Sequence, residues 1–389
     1  MEKKKFITDK LVFYTGLIYF VIMALFVCIK ICAYFGLFQF NGSSIVFKLL
    51  VQIGLMAVLP ILMFSWLCKK KVKQTFETFG FKKISVKAVF VSLAMGACVF
   101  ILVGYISTLW SGFLSLFGYK FSVGSQDYSV VNFILSIFLV GVLPGVCEEI
   151  SHRGLILSGT KHNGTIRSII LCGLLFGLMH FNPAQFGYAF VVGMFFAFIT
   201  LLTKSIFPAM IMHFTNNTLS TIVSYSENST WFPSGITDWT NNFLSSGNTI
   251  LIVIVNVLVC ALTFVLLCWL MMKLFVESKK SQFERFQKNF KREISQTSLV
   301  EDINPDDKTQ VMEIYRELNM LNVEKRLKEG NISPQEILEG INSKKTAELV
   351  LSDNFSLPEK KKASNYIFYY MSIFLGALGT IFFFILNIL

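Results

Sequence analysis

The sequence predicts an all-α fold, a polytopic bundle of membrane-crossing helices, and three observations predict it. Of 389 residues, 54% are hydrophobic and only 15% charged, where an ordinary soluble protein carries about a quarter charged residues. Apolar runs long enough to cross a bilayer, about 20 residues each, recur along the chain. The net charge of +11 is confined to the flanks of those runs: residues 277–362 hold 16 basic and 16 acidic side chains and cancel, leaving 19 basic and 8 acidic residues elsewhere. This composition excludes a cytosolic enzyme, a disordered chain and a secreted disulfide scaffold. It also gives nucleic-acid binding no support, because the excess sits in Lys3–Lys5, Lys69–Lys73 and Lys82–Lys87, the positive-inside pattern of membrane topology.

The runs read, in order, as spans near Leu11–Phe38, Ile45–Cys68, Val86–Phe117, Val131–Ser158, Ile166–Phe181, Gly187–Thr203, Ile206–Tyr225, Ile250–Val276 and Tyr366–Leu389. The first follows a lysine-rich start, but it is too long for a signal peptide and lacks a small-residue cleavage site. It is expected to stay as an anchor. Eight spans thus precede a hydrophilic segment and a ninth follows it. With the N-terminus in the cytoplasm and the chain in the cell membrane, the Lys69–Lys87 and Lys161–Arg167 loops and Lys204 all fall inside.

Three domains are expected. Residues 1–276 form the membrane bundle, with a catalytic core at about 131–225; residues 277–364 form a soluble, mostly helical cytoplasmic segment; residues 365–389 form a C-terminal span. Within the soluble segment, Asn304-Pro305-Asp306-Asp307 reads as a helix start, with a cap, proline at N1 and acids at the positive dipole end. Ser333-Pro334-Gln335-Glu336 has capping-box spacing. Neutral overall, the segment reads as a contact surface for a protein partner. All eight cysteines lie in or beside apolar runs and none forms a CxxC pair, so they read as small buried hydrophobes.

Of the eight acids outside the soluble segment, only Glu148 and Glu149 lie in a span. A charge there costs several kcal/mol, which makes an intramembrane carboxylate a functional candidate. The plainer reading is a structural ion pair with Arg153. Glu149 and Arg153 are four apart and share a helix face, as do Glu148 and His152, while Glu148 points about 100° away from Glu149. Glu149–Arg153 is then an orienting pair, and Glu148 is free to face a wet cavity. Two of the four histidines, His180 and His213, sit within or at the end of apolar spans that follow the diglutamate. Asn217 lies one turn after His213, and Phe176 one turn before His180. His162 falls in a basic loop and His152 has only local partners in view. An imidazole and a carboxamide on one face suit the stabilisation of an oxyanion.

Three ordered strings carry a family resemblance: Glu148-Glu149-Ile150-Ser151-His152-Arg153 matches EExxxR, Phe176-Gly177-Leu178-Met179-His180 matches FxxxH, and His213-Phe214-Thr215-Asn216-Asn217 matches HxxxN. Together they resemble the CPBP family, the CAAX-protease and bacteriocin-processing membrane endopeptidases, also called the Abi family. The resemblance covers about Val131–Tyr225 and leaves out residues 277–389. It implies an endopeptidase that cleaves a peptide or membrane-anchored substrate, CAAX-like or a peptide precursor. Glu148 and His180 would activate water, His213 and Asn217 would hold the oxyanion, and Glu149 and Arg153 would support the site. No cofactor is expected. Zinc is the alternative, through a His₂Glu set of Glu148, His180 and His213, although HExxH is absent. A non-catalytic immunity or scaffold protein and a proton-coupled transporter are the competing functions. One geometric conflict stands: Glu148 falls near the inner end of its span and His180 near the outer end of the next. They meet only if the first helix is shifted or bent, as at Pro144, or if the second is short and sunken.

Overall fold

A computed structural model describes residues 2–35, 45–120, 127–161, 164–245, 247–294 and 363–388 of the chain, and all regular structure among them is helical. The helices are α1 (Glu2–Tyr34), α2 (Ile45–Leu67), α3 (Val72–Thr78), α4 (Val86–Ser115), α5 (Val130–Thr160), α6 (Thr165–Met179), α7 (Pro183–Thr203), α8 (Phe207–Asn228), α9 (Gly235–Leu244), α10 (Thr249–Ile294) and α11 (Ile367–Ile388). The chain divides into two compact units, Met1–Phe275 with Lys361–Leu389, and Val276–Lys360. The second is described only as far as the end of α10. Its expected helix starts at Asn304 and Ser333, like His162, lie outside the described residues.

Seven described helices are long and apolar enough to cross a membrane: Lys10–Cys32, Ile45–Leu67, Val86–Ser115, Val130–Thr160, Pro183–Thr203, Thr249–Gln282 and Ser364–Ile388. This is a multi-pass membrane protein. The other two expected spans form helices of a different kind. The 15 residues of α6 reach only about 22 Å at 1.5 Å each, and α8 has 22 residues but carries His213, Thr215, Asn216, Asn217 and Thr218 in mid-course. The short α6 and the 31-residue α5 together remove the conflict over Glu148 and His180. Glu148 stands well inside a long helix, and His180 caps a short one.

Helix ends follow local chemistry. Ser85 caps α4 by accepting from the Ala88 N–H, Ser129 caps α5 through Asn132, and Asn182 caps α7 through Ala184 with Pro183 in the first turn. Phe181 closes α6 at φ 48°, a left-handed conformation that a bulky residue adopts only when its surroundings hold it there. Here its ring packs edge-on against Phe26 of α1, 5.6 Å between centroids.

Prolines interrupt the backbone ladder of α2 and α5. Pro60 in α2 and Pro144 in α5 lack the N–H that would bond the carbonyl four residues back. Each is preceded by a π-helical stretch, Leu50–Val58 and Ile137–Val142. The carbonyls left over are those of Met56 and Val140, and a side chain from another helix takes each. Ser151 Oγ of α5 donates to Met56 O at 2.6 Å, and Asn217 Nδ2 of α8 donates to Val140 O at 2.9 Å.

Glycines set the closest helix contacts. A Cβ on Gly145 of α5 would lie 3.1 Å from the Phe214 backbone N of α8, and one on Gly173 of α6 would lie 2.8 Å from Phe190 O of α7. Both belong to GxxxG spacings, Gly141/Gly145 and Gly173/Gly177, which let helix backbones approach closely in a membrane. At the other end of the sequence, α11 packs on α1, where Tyr369 donates to Thr15 Oγ1 at 2.8 Å.

Candidate active site

The anchor of the site is Glu149, fully buried on α5. Its Oε1 accepts from Arg153 Nη1 at 2.7 Å and from His213 Nδ1 at 2.8 Å. Arg153 Nη2 donates to Gly193 O of α7 at 3.0 Å, and its guanidinium lies between two rings, 4.5 Å from the Phe176 centroid and 5.4 Å from that of Phe196. The expected Glu149–Arg153 pair therefore forms across one turn, and it does more than neutralise charge. It joins α5, α6, α7 and α8 at one point.

Because His213 donates through Nδ1 to Glu149, its ring turns Nε2 toward Glu148, whose Oε2 lies 3.9 Å away. Glu148 itself is 6% exposed. Its Oε1 accepts from Gln52 Nε2 of α2 at 2.8 Å, while Oε2 receives no hydrogen bond from the described residues. The gap between Oε2 and Nε2 is too wide for a direct hydrogen bond.

His152 is placed differently from the face-sharing expected with the Glu148 side chain. Its Nδ1 meets the Glu148 backbone carbonyl at 2.8 Å and its Nε2 the Tyr19 hydroxyl at 2.9 Å. The reason is the π-helical stretch Ile150–Ile156, whose wide turns break the usual backbone ladder. This histidine is fully buried, so it belongs to the frame beneath the site.

Phe176 is the hub of the aromatic layer, edge-on to His152, His180 and His213 at 5.0, 5.3 and 5.7 Å between centroids. It carries His180, at the end of α6, into electrostatic reach of Glu148 and His213. No hydrogen bond from the His180 ring is made among the described residues. Asn217 stands one turn beyond His213, with its oxygen accepting from Asn216 Nδ2 at 3.0 Å and one amide N–H given to Val140. The second N–H has no partner among the described residues. The structure thus brings Glu148, Glu149, Arg153 and His213 together directly, His180 through Phe176, and Asn217 through α5.

For zinc the donors fit poorly. Among the described residues no three His, Cys, Asp or Glu side chains are grouped to hold one metal ion, and Glu149 already fixes the His213 ring.

The sequence pointed to no role for Gln52, Tyr19 or Ser151: Ser151 stands only inside the EExxxR string, and Gln52 only as an amide in the middle of an apolar run.

Residues 130–219 match the model of the family described as Rce1-like, type II CAAX prenyl endopeptidase Rce1-like. Among curated proteins and among solved structures, no match is found. The matched stretch begins at the start of α5 and ends just after Asn217, so it holds all three motif strings and every charged group of the site on α5 and α8. Over residues 130–219, the part of the chain that holds the three motif strings, the sequence is thus similar to the type II CAAX prenyl endopeptidases described as Rce1-like.

Proposed function

We propose that the chain is an intramembrane endopeptidase that hydrolyses a peptide bond in a membrane-associated substrate, CAAX-like or a peptide precursor. The observation that carries this reading is the free Glu148 Oε2 facing His213 Nε2 across 3.9 Å. That gap is too wide for a direct hydrogen bond, so Oε2 is left to act on a water and Nε2 to meet a carbonyl oxygen beside it.

In this mechanism a water lies against Glu148 Oε2, oriented by His180. Glu148 takes one proton as the water oxygen attacks the scissile carbonyl. The carbonyl oxygen becomes an oxyanion and accepts hydrogen bonds from His213 Nε2–H and the second Asn217 N–H. Collapse breaks the C–N bond, and Glu148 returns its proton to the leaving amine. Glu149 orients the His213 ring through Nδ1, and Arg153 pairs with Glu149. No step uses a metal.

The test is proteomics of membrane peptides from cells with the wild-type chain or with Glu148→Gln. Fragments present only with the wild type support a peptidase. Full complementation of a deletion phenotype by Glu148→Gln would instead favour a binding or immunity role.

A further inference from the structure

We propose that Gln52 is a positioning residue of this site: its carboxamide pins Glu148 Oε1 and so presents Oε2 to the reacting water. The inference rests on the peptidase reading for its meaning, but not for its test.

Three observations converge. Gln52 Nε2 donates to Glu148 Oε1 at 2.8 Å, a hydrogen bond from a different helix. That helix is tied to α5 one turn further on, where Met56, four residues after Gln52, accepts from Ser151 Oγ, three residues after Glu148. The amide is therefore held at both ends of one helix turn, by the carbonyl that Pro60 leaves free. Finally, the Gln52 Oε1 atom is buried and has no hydrogen-bond partner among the described residues.

Oε1 faces the Gln52 N–H₂, so Oε2 is the oxygen left for the water, and a donor held against a carboxyl oxygen favours the charged form of that group. When Glu148 takes the proton of the water on Oε2, Oε1 remains an acceptor and the Gln52 N–H keeps its hydrogen bond, so the carboxyl stays pinned in both protonation states. The other titratable or charged groups around Glu148 are His213 and His180 across the gap, Glu149 and Arg153 on its own helix, Cys147 beside it, and Tyr19 and Tyr188 within electrostatic reach. None of these donates a hydrogen bond to Oε1.

The experiment reads the Glu148 proton without needing turnover. Dicyclohexylcarbodiimide labels protonated carboxyls in membranes, and peptide fragmentation separates Glu148 from Glu149. Labelling of the full-length chain in detergent is followed against pH for wild type, Gln52→Met and Gln52→Asn. Helical circular dichroism and monodisperse elution select folded protein, and the shorter Asn keeps the amide but not its reach. Removing a donor to the charged form favours the neutral one. The labelling midpoint is therefore expected to rise by about one pH unit in both variants, with the acid limb of kcat/KM moving alongside it and the rate falling about tenfold. A midpoint that stays at the wild-type value in the folded variants overturns the proposal, even if activity falls. A shifted midpoint in a chain that cleaves no peptide upholds the role of Gln52 and refutes the peptidase reading alone.

Discussion

Glu149 accepts from two donors on a single oxygen, one of them the Arg153 guanidinium, and its other oxygen is buried without a hydrogen bond among the described residues. Removing one partner therefore leaves charge stranded where water cannot reach it. Arg153→Ala is expected to cost about 3–5 kcal/mol, the usual loss when half of a buried pair is deleted, seen as a lower melting temperature in detergent. The double change Glu149→Gln with Arg153→Met should recover much of that stability, yet not the activity, because His213 loses its orienting carboxylate. At the reacting centre, Glu148→Gln, His180→Ala and His213→Ala should each cut turnover by about 10²-fold or more without preventing membrane insertion; near-normal turnover in two of the three would reject the assignment. The sequence revealed the Glu149–Arg153 pair because a spacing of four keeps two side chains together even beside a π-helical turn. It could not reveal Gln52, which reaches Glu148 across 96 positions of chain and belongs to no string near it.

At the level of helices, proline and glycine do the shaping. Pro144 creates the free carbonyl that Asn217 occupies, so Pro144→Ala restores an N–H that competes for Val140 O. The variant should be at least as stable as wild type but slower, with the loss in kcat more than in KM, since a freed Asn217 side chain no longer holds its remaining N–H in place. Equal kcat would show that the carbonyl does not orient Asn217. Gly173→Leu puts a branched side chain where even a Cβ meets Phe190 O at 2.8 Å. It should separate α6 from α7, detach Gly193 from Arg153 and yield aggregated protein on size-exclusion chromatography. Pro144 was legible in advance as a possible bend. The two GxxxG spacings were equally visible in the sequence, but their facing helices were not, because which α-helix lies against which is set by the whole bundle.

For the whole molecule, hydropathy alone located nine helices correctly in sequence, and the two that fall short as spans, α6 and α8, are those bearing His180, His213 and Asn217. The proposed function would account for the shortfall, since a helix that lines a wet cavity needs polar residues and tolerates brevity. Topology is a separate matter, argued from the basic loops. In a cysteine-free background, a cysteine at Ser245 should react with a membrane-impermeant maleimide in intact cells, and one at Ser343 only after permeabilisation. The reverse pattern would invert the chain and move the side from which substrate enters.

The crowding of charge on α5 also bears on how the protein is made. Glu148, Glu149 and Arg153 sit in the interior of one 31-residue helix, and on translocon scales three central charges disfavour insertion by about 9 kcal/mol. The Leu, Ile, Val and Phe residues of the same stretch, 16 in number, favour it by about 7 kcal/mol. Taken alone, this helix hovers near break-even and should leave the translocon slowly, waiting for the Gly193 carbonyl and the His213 ring, which are synthesised 40 residues after Arg153 and 64 after Glu149. Nascent chains halted before α7 should therefore hold α5 in the bilayer only partially, as read by glycosylation of acceptor sites placed on either side of it, and chains that extend past α8 should hold it fully.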